Sequence, residues 1–381
     1  KNFTQGVFAS YHIYPYYPDF MNYQKEYVSF KDESGKINTY KAYLRDLMKQ
    51  HTMPVLVAEF GIPASRGMAH KSLYSGYNQG SIDETQQGVI LQSLLKDIYD
   101  EGYCGALVFS WQDEWFKRTW NTMDLDLPDS RPFWSNPQTN EQEFGLLAFD
   151  PGEKESVCYV DGDTQEWKDA TPIYSGKNVK LFARSDEKYL YLMADTNNFD
   201  FSKDKLLIPI DTINGQGNQE DKARNVKFSR NADFEVLIDG KDNSKVFVDA
   251  YYDSFNYIYA EQLKMLEGDP LYKVKNSGIF NTMYLCLNKQ FILPQDKLEV
   301  PFSKYETGAL KYGNGNPMQK EYNSLSDFCE KNGKIEIRIP WQLLNVMDPS
   351  SKSIMGDLYK NKGIKSEKTE GFYFGAEILG R

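Results

Sequence analysis

The stretch Pro54-Val55-Leu56-Val57-Ala58-Glu59-Phe60-Gly61 decides the fold of the first part of the chain. A continuous run of β-branched and aliphatic residues is typical of a buried parallel strand. The run ends in a carboxylate followed by an aromatic residue and a glycine, so Glu59 lies at the C-terminal end of the predicted strand. A carboxylate in this place is costly unless it is hydrogen-bonded, ion-paired or used in chemistry.

Two more strands are predicted around this stretch. Residues 7–14 have strand composition and stop at Pro15, and residues 105–111 form another apolar run. His12 and Tyr14 point to the same side of their strand because side chains alternate along a strand. Taken alone, His12 is as consistent with a core histidine as with a functional one.

Helical patterns separate the three predicted strands. Apolar residues recur at helical spacing in residues 38–51, and Ser81 with Glu84 predicts a capping box that opens a second helix. Residues 62–80 between them are predicted to be a long site-forming loop. Alternating strands and helices predict a parallel sheet, and sites in such sheets lie at the C-terminal ends of the strands.

The strand ends resemble a known group of enzymes. His12-x-Tyr14, Ala58-Glu59-Phe60-Gly61 and Ser110-Trp111 resemble the sixth, seventh and eighth strands of the (β/α)8 TIM barrels of clan-A retaining glycoside hydrolases, the cellulase-like and β-galactosidase-like families. The resemblance covers residues 3–150. It implies that Glu59 is the catalytic nucleophile, Tyr14 orients it, His12 lines the subsite at the cleaved bond and Trp111 is a sugar platform.

A retaining mechanism needs a second carboxyl group about 5–5.5 Å from the nucleophile. In the resembled families this acid/base follows an Asn at the end of the fourth strand, whereas this chain begins near the sixth. We therefore expect residues 1–153 to be the C-terminal portion of a barrel whose N-terminal part is missing from this sequence. Asp113 and Glu114 lie just past Trp111, within possible reach of the site, and are an alternative source of the second carboxylate, but we favour polar subsite contacts or loop charges for them. Trp115 is either a sugar-stacking residue or part of the barrel rim.

Residues 154–381 change to an alternating pattern, with short predicted strands at 179–183, 189–194, 234–238, 246–250 and 335–339. Many strands without intervening helices predict an antiparallel β-sandwich. The segments 161–167, 336–341 and 371–374 are similar to the sandwich of family-nine carbohydrate-binding modules. Trp167 and Trp341 in these segments are interpreted as core residues, with sugar stacking as the alternative. Before this region, Arg131-Pro132-Phe133-Trp134 is a candidate lid or docking segment.

Composition excludes several classes of partner. The formal net charge of −10 argues against nucleic acids and anionic membrane surfaces. Aromatic residues make up 15% of the chain, which suits both the C–H faces of sugars and packing in β-sheets. Cys104, Cys158, Cys286 and Cys329 are far apart in sequence, so they indicate neither a zinc site nor a disulfide framework. We predict no metal, no cofactor and no transmembrane segment in this stretch.

These observations favour a retaining glycoside hydrolase that acts on a poly- or oligosaccharide, in an extracellular or cell-envelope location. One alternative is a carbohydrate-binding or cell-envelope protein whose barrel is catalytically degenerate. Another is an unrelated α/β domain joined to a β-sandwich, in which Glu59 is structural.

Overall fold

The computed structural model describes residues 4–127, 134–149, 156–197, 199–294 and 297–380. The chain forms two compact units: the first comprises Lys1–Thr119, Thr139–Phe149 and Leu287–Ser303, and the second comprises Trp120–Gln138, Asp150–Cys286 and Lys304–Arg381. The units interleave along the sequence. The predicted boundary between residues 153 and 154 lies outside the described residues, as do residues 131–133 of the candidate lid.

The strands are β1 (Ala9–His12), β2 (Val55–Phe60), β3 (Met68–His70), β4 (Gln79–Gly80), β5 (Gly105–Val108), β6 (Tyr174–Ser175), β7 (Val179–Ser185), β8 (Tyr189–Thr196), β9 (Lys205–Asp211), β10 (Asn218–Asp221), β11 (Val226–Ala232), β12 (Phe234–Ile238), β13 (Lys245–Asp249), β14 (Phe280–Thr282), β15 (Tyr284–Asn288), β16 (Phe291–Ile292), β17 (Glu299–Val300), β18 (Ser303–Glu306), β19 (Phe328–Lys331), β20 (Lys334–Pro340), β21 (Val346–Asp348), β22 (Ser353–Met355), β23 (Ser366–Lys368), β24 (Tyr373–Phe374) and β25 (Glu377–Leu379). The α-helices are α1 (Lys25–Val28), α2 (Thr39–Lys49), α3 (Glu84–Asp100) and α4 (Ser254–Asn256). Short 3₁₀ helices occur at Asp19–Asn22, Met123–Leu125, Asn140–Gln142, Gln165–Trp167, Ala250–Tyr252, Pro270–Lys273 and Trp341–Leu344, and a π-helix spans Tyr257–Gln262.

A parallel sheet of order β1-β2-β5 organises the first unit, which confirms the three predicted strands and their parallel pairing. Helices α2 and α3 cover one face of this sheet. Val55 and Val57 of β2 are fully buried there in one cluster with Leu44 of α2 and Leu94 of α3. Strand alternation therefore turns one set of side chains into the core, and the other set faces away from these helices.

The residues on the other side of the sheet include exposed apolar side chains. Phe8, just before β1, is 62% exposed, and Leu107 of β5 is 56% exposed. Ser10 and His12 of β1 are exposed as well. The first unit thus carries one covered sheet face and one open sheet face.

The predicted capping box at Ser81 and Glu84 is wrong. Helix α3 begins at Glu84 and its N-cap is Asp83, whose side chain accepts a hydrogen bond from the Gln86 backbone N–H at 2.8 Å. The Gln86 side chain accepts in return from the Asp83 N–H at 3.4 Å. Ser81 has φ +55°, a left-handed conformation that is incompatible with the extended backbone of an N-cap. The predicted loop 62–80 also contains the paired strands β3 and β4.

Two antiparallel sheets form the core of the second unit. One has the order β14-β13-β12-β9-β24, with β25 also paired to β9, and the other has the order β19-β20-β8-β7-β6. The five predicted strands of this region are confirmed as parts of β7, β8, β12, β13 and β20. Leu192 and Ile337 from one sheet share a buried cluster with Ile208 and Val236 from the other. The core of this unit therefore lies between the two sheets and is formed by the side chains that point inward from each.

Trp167 and Trp341, the two tryptophans of segments 161–167 and 336–341, are held by hydrogen bonds. Trp167 is 3% exposed and donates from Nε1 to Glu336 Oε1 at 2.9 Å. Trp341 donates from Nε1 to the Asp186 carbonyl oxygen at 2.8 Å. These contacts favour the interpretation of both as packing residues.

Candidate functional site

Three predicted site residues meet at the C-terminal ends of β1 and β2. Glu59 is the second-last residue of β2, and His12, the last residue of β1, lies opposite it in the strand register. The Tyr14 hydroxyl donates a hydrogen bond to Glu59 Oε2 at 2.9 Å, and His12 Nδ1 lies 3.2 Å from the same oxygen. The structure thus brings His12, Tyr14 and Glu59 together, and His12 and Tyr14 both contact the same oxygen of the Glu59 carboxylate.

The three side chains differ in their access to solvent. The Glu59 side chain is 30% exposed and the His12 side chain is 60% exposed, whereas Tyr14 is half-buried. Burial, followed by the hydrogen bond to Glu59, raises the pKa of the Tyr14 hydroxyl far above its usual value. Tyr14 therefore remains a protonated donor to the carboxylate at all ordinary pH values.

Aromatic packing holds Tyr14 in place. The Phe144 ring contacts the edge of Tyr14 at a centroid distance of 6.0 Å and that of Phe109 at 5.2 Å. Gly61, directly after β2, lies against the backbone of Phe109, and a Cβ atom at residue 61 would be 2.2 Å from the Phe109 carbonyl oxygen. Glycine is required at this position because the chain that carries Glu59 passes so close to the end of β5.

Trp111 follows β5 and is 71% exposed, which makes it one of the most exposed large aromatic side chains of the first unit. Its backbone is fixed, because the Trp111 carbonyl oxygen accepts a hydrogen bond from the Leu147 N–H at 3.1 Å. Within the described part of the chain, no hydrogen bond or ring contact joins the Trp111 side chain to Glu59. Its ring is available to a flat ligand.

Asp113, Glu114 and Trp115 lie in the segment after Trp111 and contact protein groups. Asp113 is 7% exposed, and its two carboxylate oxygens accept the backbone N–H groups of Gly145 at 2.8 Å and of Phe149 at 3.1 Å. Glu114 Oε2 lies 2.9 Å from Lys117 Nζ. The Trp115 ring stacks on Phe149 with a centroid distance of 4.3 Å. These contacts order the loop around the strand ends.

Glu141 is a part of this cluster that sequence reasoning missed. Its Oε1 accepts a hydrogen bond from Gln79 Nε2 at 2.5 Å, and its Oε2 lies 3.8 Å from Lys117 Nζ. Burial raises the pKa of the Glu141 carboxyl, the charges of Glu114 and Glu59 add to this effect, and Lys117 and Gln79 oppose it. Glu141 belongs to the 3₁₀ turn Asn140–Gln142, which has no strand or helix periodicity that could have marked it.

Lys117 connects this carboxyl to the aromatic residues around Tyr14. Its Nζ lies 4.1 Å from the centroid of the Phe109 ring, in a cation–π contact. The region beside Glu59 therefore contains a second partly buried carboxyl, a cation and an amide, all of which can form hydrogen bonds to hydroxyl groups.

No group of three or more metal-ligating side chains is found among the described residues. None of the described helices has the length and apolar character needed to cross a bilayer. Comparison of the chain with protein-family models, with curated proteins and with solved structures found no match.

Proposed function

We propose that this chain supplies the catalytic nucleophile of a retaining glycoside hydrolase that acts on a poly- or oligosaccharide. The proposal is carried by the Glu59 carboxylate at the end of the central parallel strand, held on one oxygen by Tyr14 at 2.9 Å and by His12 at 3.2 Å. Among the described residues, none donates a hydrogen bond to Glu59 Oε1. That oxygen is the atom that would attack.

In this mechanism Glu59 Oε1 forms a bond to the anomeric carbon while the bond to the leaving oxygen breaks, and an acid protonates that oxygen. Water then attacks the anomeric carbon of the glycosyl ester and gives its proton to the conjugate base of that acid, while the ester bond breaks and releases Glu59 as a carboxylate. The Tyr14 hydroxyl fixes the orientation of the nucleophile before the reaction, and His12 lines the position of the reacting sugar. By the family resemblance, the acid comes from a strand outside these residues.

The open sheet face of the first unit supports the proposal that this unit is part of a larger barrel. Phe8 and Leu107, both more than half exposed, lie on the side of the β1-β2-β5 sheet that α2 and α3 leave uncovered. In a closed (β/α)8 barrel, this side of the strands would face the packed interior. We propose that further βα units cover it and contribute the acid, and that the second unit is an accessory sandwich.

Trp111 gives the site a place to bind a sugar ring. Its 71% exposed indole can pack against the C–H face of a pyranose. This same observation favours the alternative function, a non-catalytic carbohydrate-binding protein, because a platform needs no nucleophile. An extracellular or cell-envelope location belongs to both proposals, since polysaccharides are found there.

The test uses the full-length natural protein, a panel of aryl glycosides and variants of Glu59. Glu59→Gln is expected to reduce turnover by orders of magnitude without changing the fold. In Glu59→Ala, added azide is expected to restore cleavage and to yield a glycosyl azide of inverted configuration, because azide enters from the face that the carboxylate has left. Glu84→Gln, which changes an exposed carboxylate of α3, is the control and is expected to keep full activity.

Tyr14→Phe separates positioning from nucleophilic attack. A hydrogen bond to a charged group contributes about 1.5–3 kcal/mol, so kcat is expected to fall about 10- to 100-fold while sugar binding is retained. Undiminished hydrolysis by Glu59→Gln rejects the nucleophile assignment. A wild-type protein that binds oligosaccharides through Trp111 but cleaves none of them favours the non-catalytic alternative.

A further inference from the structure

A groove on the second unit is independent of Glu59. Its volume is about 880 Å³, within the range of small-molecule sites. Strand β9 forms its floor: Leu206, Ile208 and Ile210 point into the core between the sheets, so Leu207, Pro209 and Asp211 lie on the opposite face. Residues 227–231 and 372–378 line it, as do residues 173–174 and 176–179.

An arginine in this groove is held in a fixed orientation. Arg230 Nε donates a hydrogen bond to the buried Asp211 carboxylate, and Arg230 Nη2 donates to Asn214 Oδ1 at 3.2 Å. The guanidinium carbon lies 3.6 Å from the centroid of the Tyr373 ring. Tyr373 is opposite Asp211 in the strand register, so the arginine, its counter-ion and the ring form one layer. Among the described residues, none accepts a hydrogen bond from Arg230 Nη1.

Arg230 lies over one face of the Tyr373 ring, and Tyr373 is 54% exposed. Asn178 and Asn231, both partly exposed, also line the groove. A flat aromatic surface beside amide groups can bind a sugar ring through its C–H face and its hydroxyls.

The charges of the groove differ from those of the whole chain. Lys177, Lys227 and Arg230 line it together with two carboxylates, Asp211 and Glu377, although the protein has a net charge of −10. Asp211 is paired with Arg230. Lys177 and Lys227 are exposed and have no ion-pair partner among the described residues. A ligand with a carboxylate would find two unpaired ammonium groups and an oriented guanidinium N–H.

We propose that this groove binds an acidic saccharide, a chain that contains uronic acid residues. A pyranose ring packs on the open face of Tyr373, and its carboxylate accepts hydrogen bonds from Arg230 Nη1 and from Lys177 or Lys227. The proposal concerns binding, for which Arg230 is oriented by its hydrogen bond to Asp211. This proposal does not depend on whether Glu59 is catalytic.

The test measures binding of tri-galacturonate and of uncharged galactotriose to this chain by isothermal titration calorimetry. Tri-galacturonate is expected to bind at least about tenfold more tightly, and added salt is expected to weaken only the acidic ligand. Equal binding of the two ligands, or binding of neither, overturns the proposal.

Variants locate the site. Lys177→Met combined with Lys227→Met is expected to weaken tri-galacturonate binding at least about tenfold, since both ammonium groups contribute to binding. Lys177 and Lys227 are exposed, so the double variant is expected to fold normally. Arg230→Met is less suitable as a test, because it leaves the buried Asp211 carboxylate without its partner. Tyr373→Ala is expected to weaken both ligands, and Tyr373→Phe to weaken neither by more than about twofold.

Lys168→Met is the matched control, because Lys168 is an exposed lysine of the same unit outside the groove. It is expected to bind tri-galacturonate like the wild type. If the double lysine variant binds as tightly as Lys168→Met, the ligand is held elsewhere and the assignment of the groove is overturned.

Discussion

The first unit builds its core on one face of a single parallel sheet, whereas the second unit buries the inner faces of two antiparallel sheets in one cluster. The parallel sheet collects His12, Tyr14 and Glu59 at its strand ends and leaves Phe8 and Leu107 exposed on its other face. In the antiparallel sheets, the floor of the candidate groove, Leu207, Pro209 and Asp211, lies on the face of β9 that points away from the shared cluster. The proposed sites therefore lie at strand ends in the first unit and across strands in the second.

The same Leu→Ala substitution tests this comparison most strongly. Leu192 of β8 is fully buried in the second unit, and Leu107 of β5 is 56% exposed in the first. Leu192→Ala is expected to lower the free energy of unfolding by about 2–5 kcal/mol, because it removes buried surface and leaves a cavity. Leu107→Ala is expected to change it by less than about 0.5 kcal/mol. Urea denaturation, with hydrogen exchange to assign each transition to its unit, measures both.

The contrast between Leu107→Ala and Leu192→Ala also tests the proposal that further βα units cover the open sheet face. If further βα units cover the open sheet face, as proposed, Leu107→Ala becomes strongly destabilising in the longer protein. A large effect of Leu107→Ala in the present chain would instead mean that this face is already packed, and the comparison between the units would fail.

Buried carboxyls predict a pH dependence of the second unit. Burial raises the pKa of Asp233 to about 6, of Asp249 to about 7 and of Glu235 to about 8. The folded state holds these protons more tightly than the unfolded state, so the free energy of unfolding is expected to fall as the pH rises from about 4 to about 8. Each group contributes up to about 1.4 kcal/mol per pH unit while it titrates.

Thermal unfolding across this pH range checks the prediction, and Glu235→Gln is expected to flatten the decline between about pH 5 and 8. Glu84→Gln is the control and keeps the wild-type slope. Arg224 Nη1 lies 2.8 Å from Glu235 Oε2. A decline that Glu235→Gln leaves unchanged would mean that this ion pair cancels the effect of burial on Glu235.

Local sequence patterns were sufficient to predict the three parallel strands and the meeting of His12, Tyr14 and Glu59. Each strand is a short apolar run, and parallel pairing brings the ends together without further information. In the second unit, the alternation of apolar and polar residues predicted β7, β8, β12, β13 and β20.

The remaining features depend on contacts between distant residues. Glu141 meets Gln79 across 62 positions of the sequence, from a turn without periodicity. The sequence left Asp113 open between a second catalytic carboxylate, a subsite contact and a loop charge, and only the structure shows that its two oxygens accept the N–H groups of Gly145 and Phe149. The groove combines separate segments around residues 177, 209, 230 and 373, and the sequence indicated a binding residue in none of them.

The smallest expected effect concerns the N-terminus of α3, where the sequence indicated Ser81 and the structure has Asp83. Asp83→Ala removes the hydrogen bond to the Gln86 N–H and is expected to lower the free energy of unfolding of the first unit by about 1 kcal/mol. Asp83→Asn and Asp83→Ser retain an acceptor and are expected to stay close to the wild type. Hydrogen exchange of the amides in the first turn of α3 measures the loss. Equal destabilisation by Asp83→Asn and Asp83→Ala would show that the charge of Asp83, and not its cap, stabilises the helix that covers the parallel sheet.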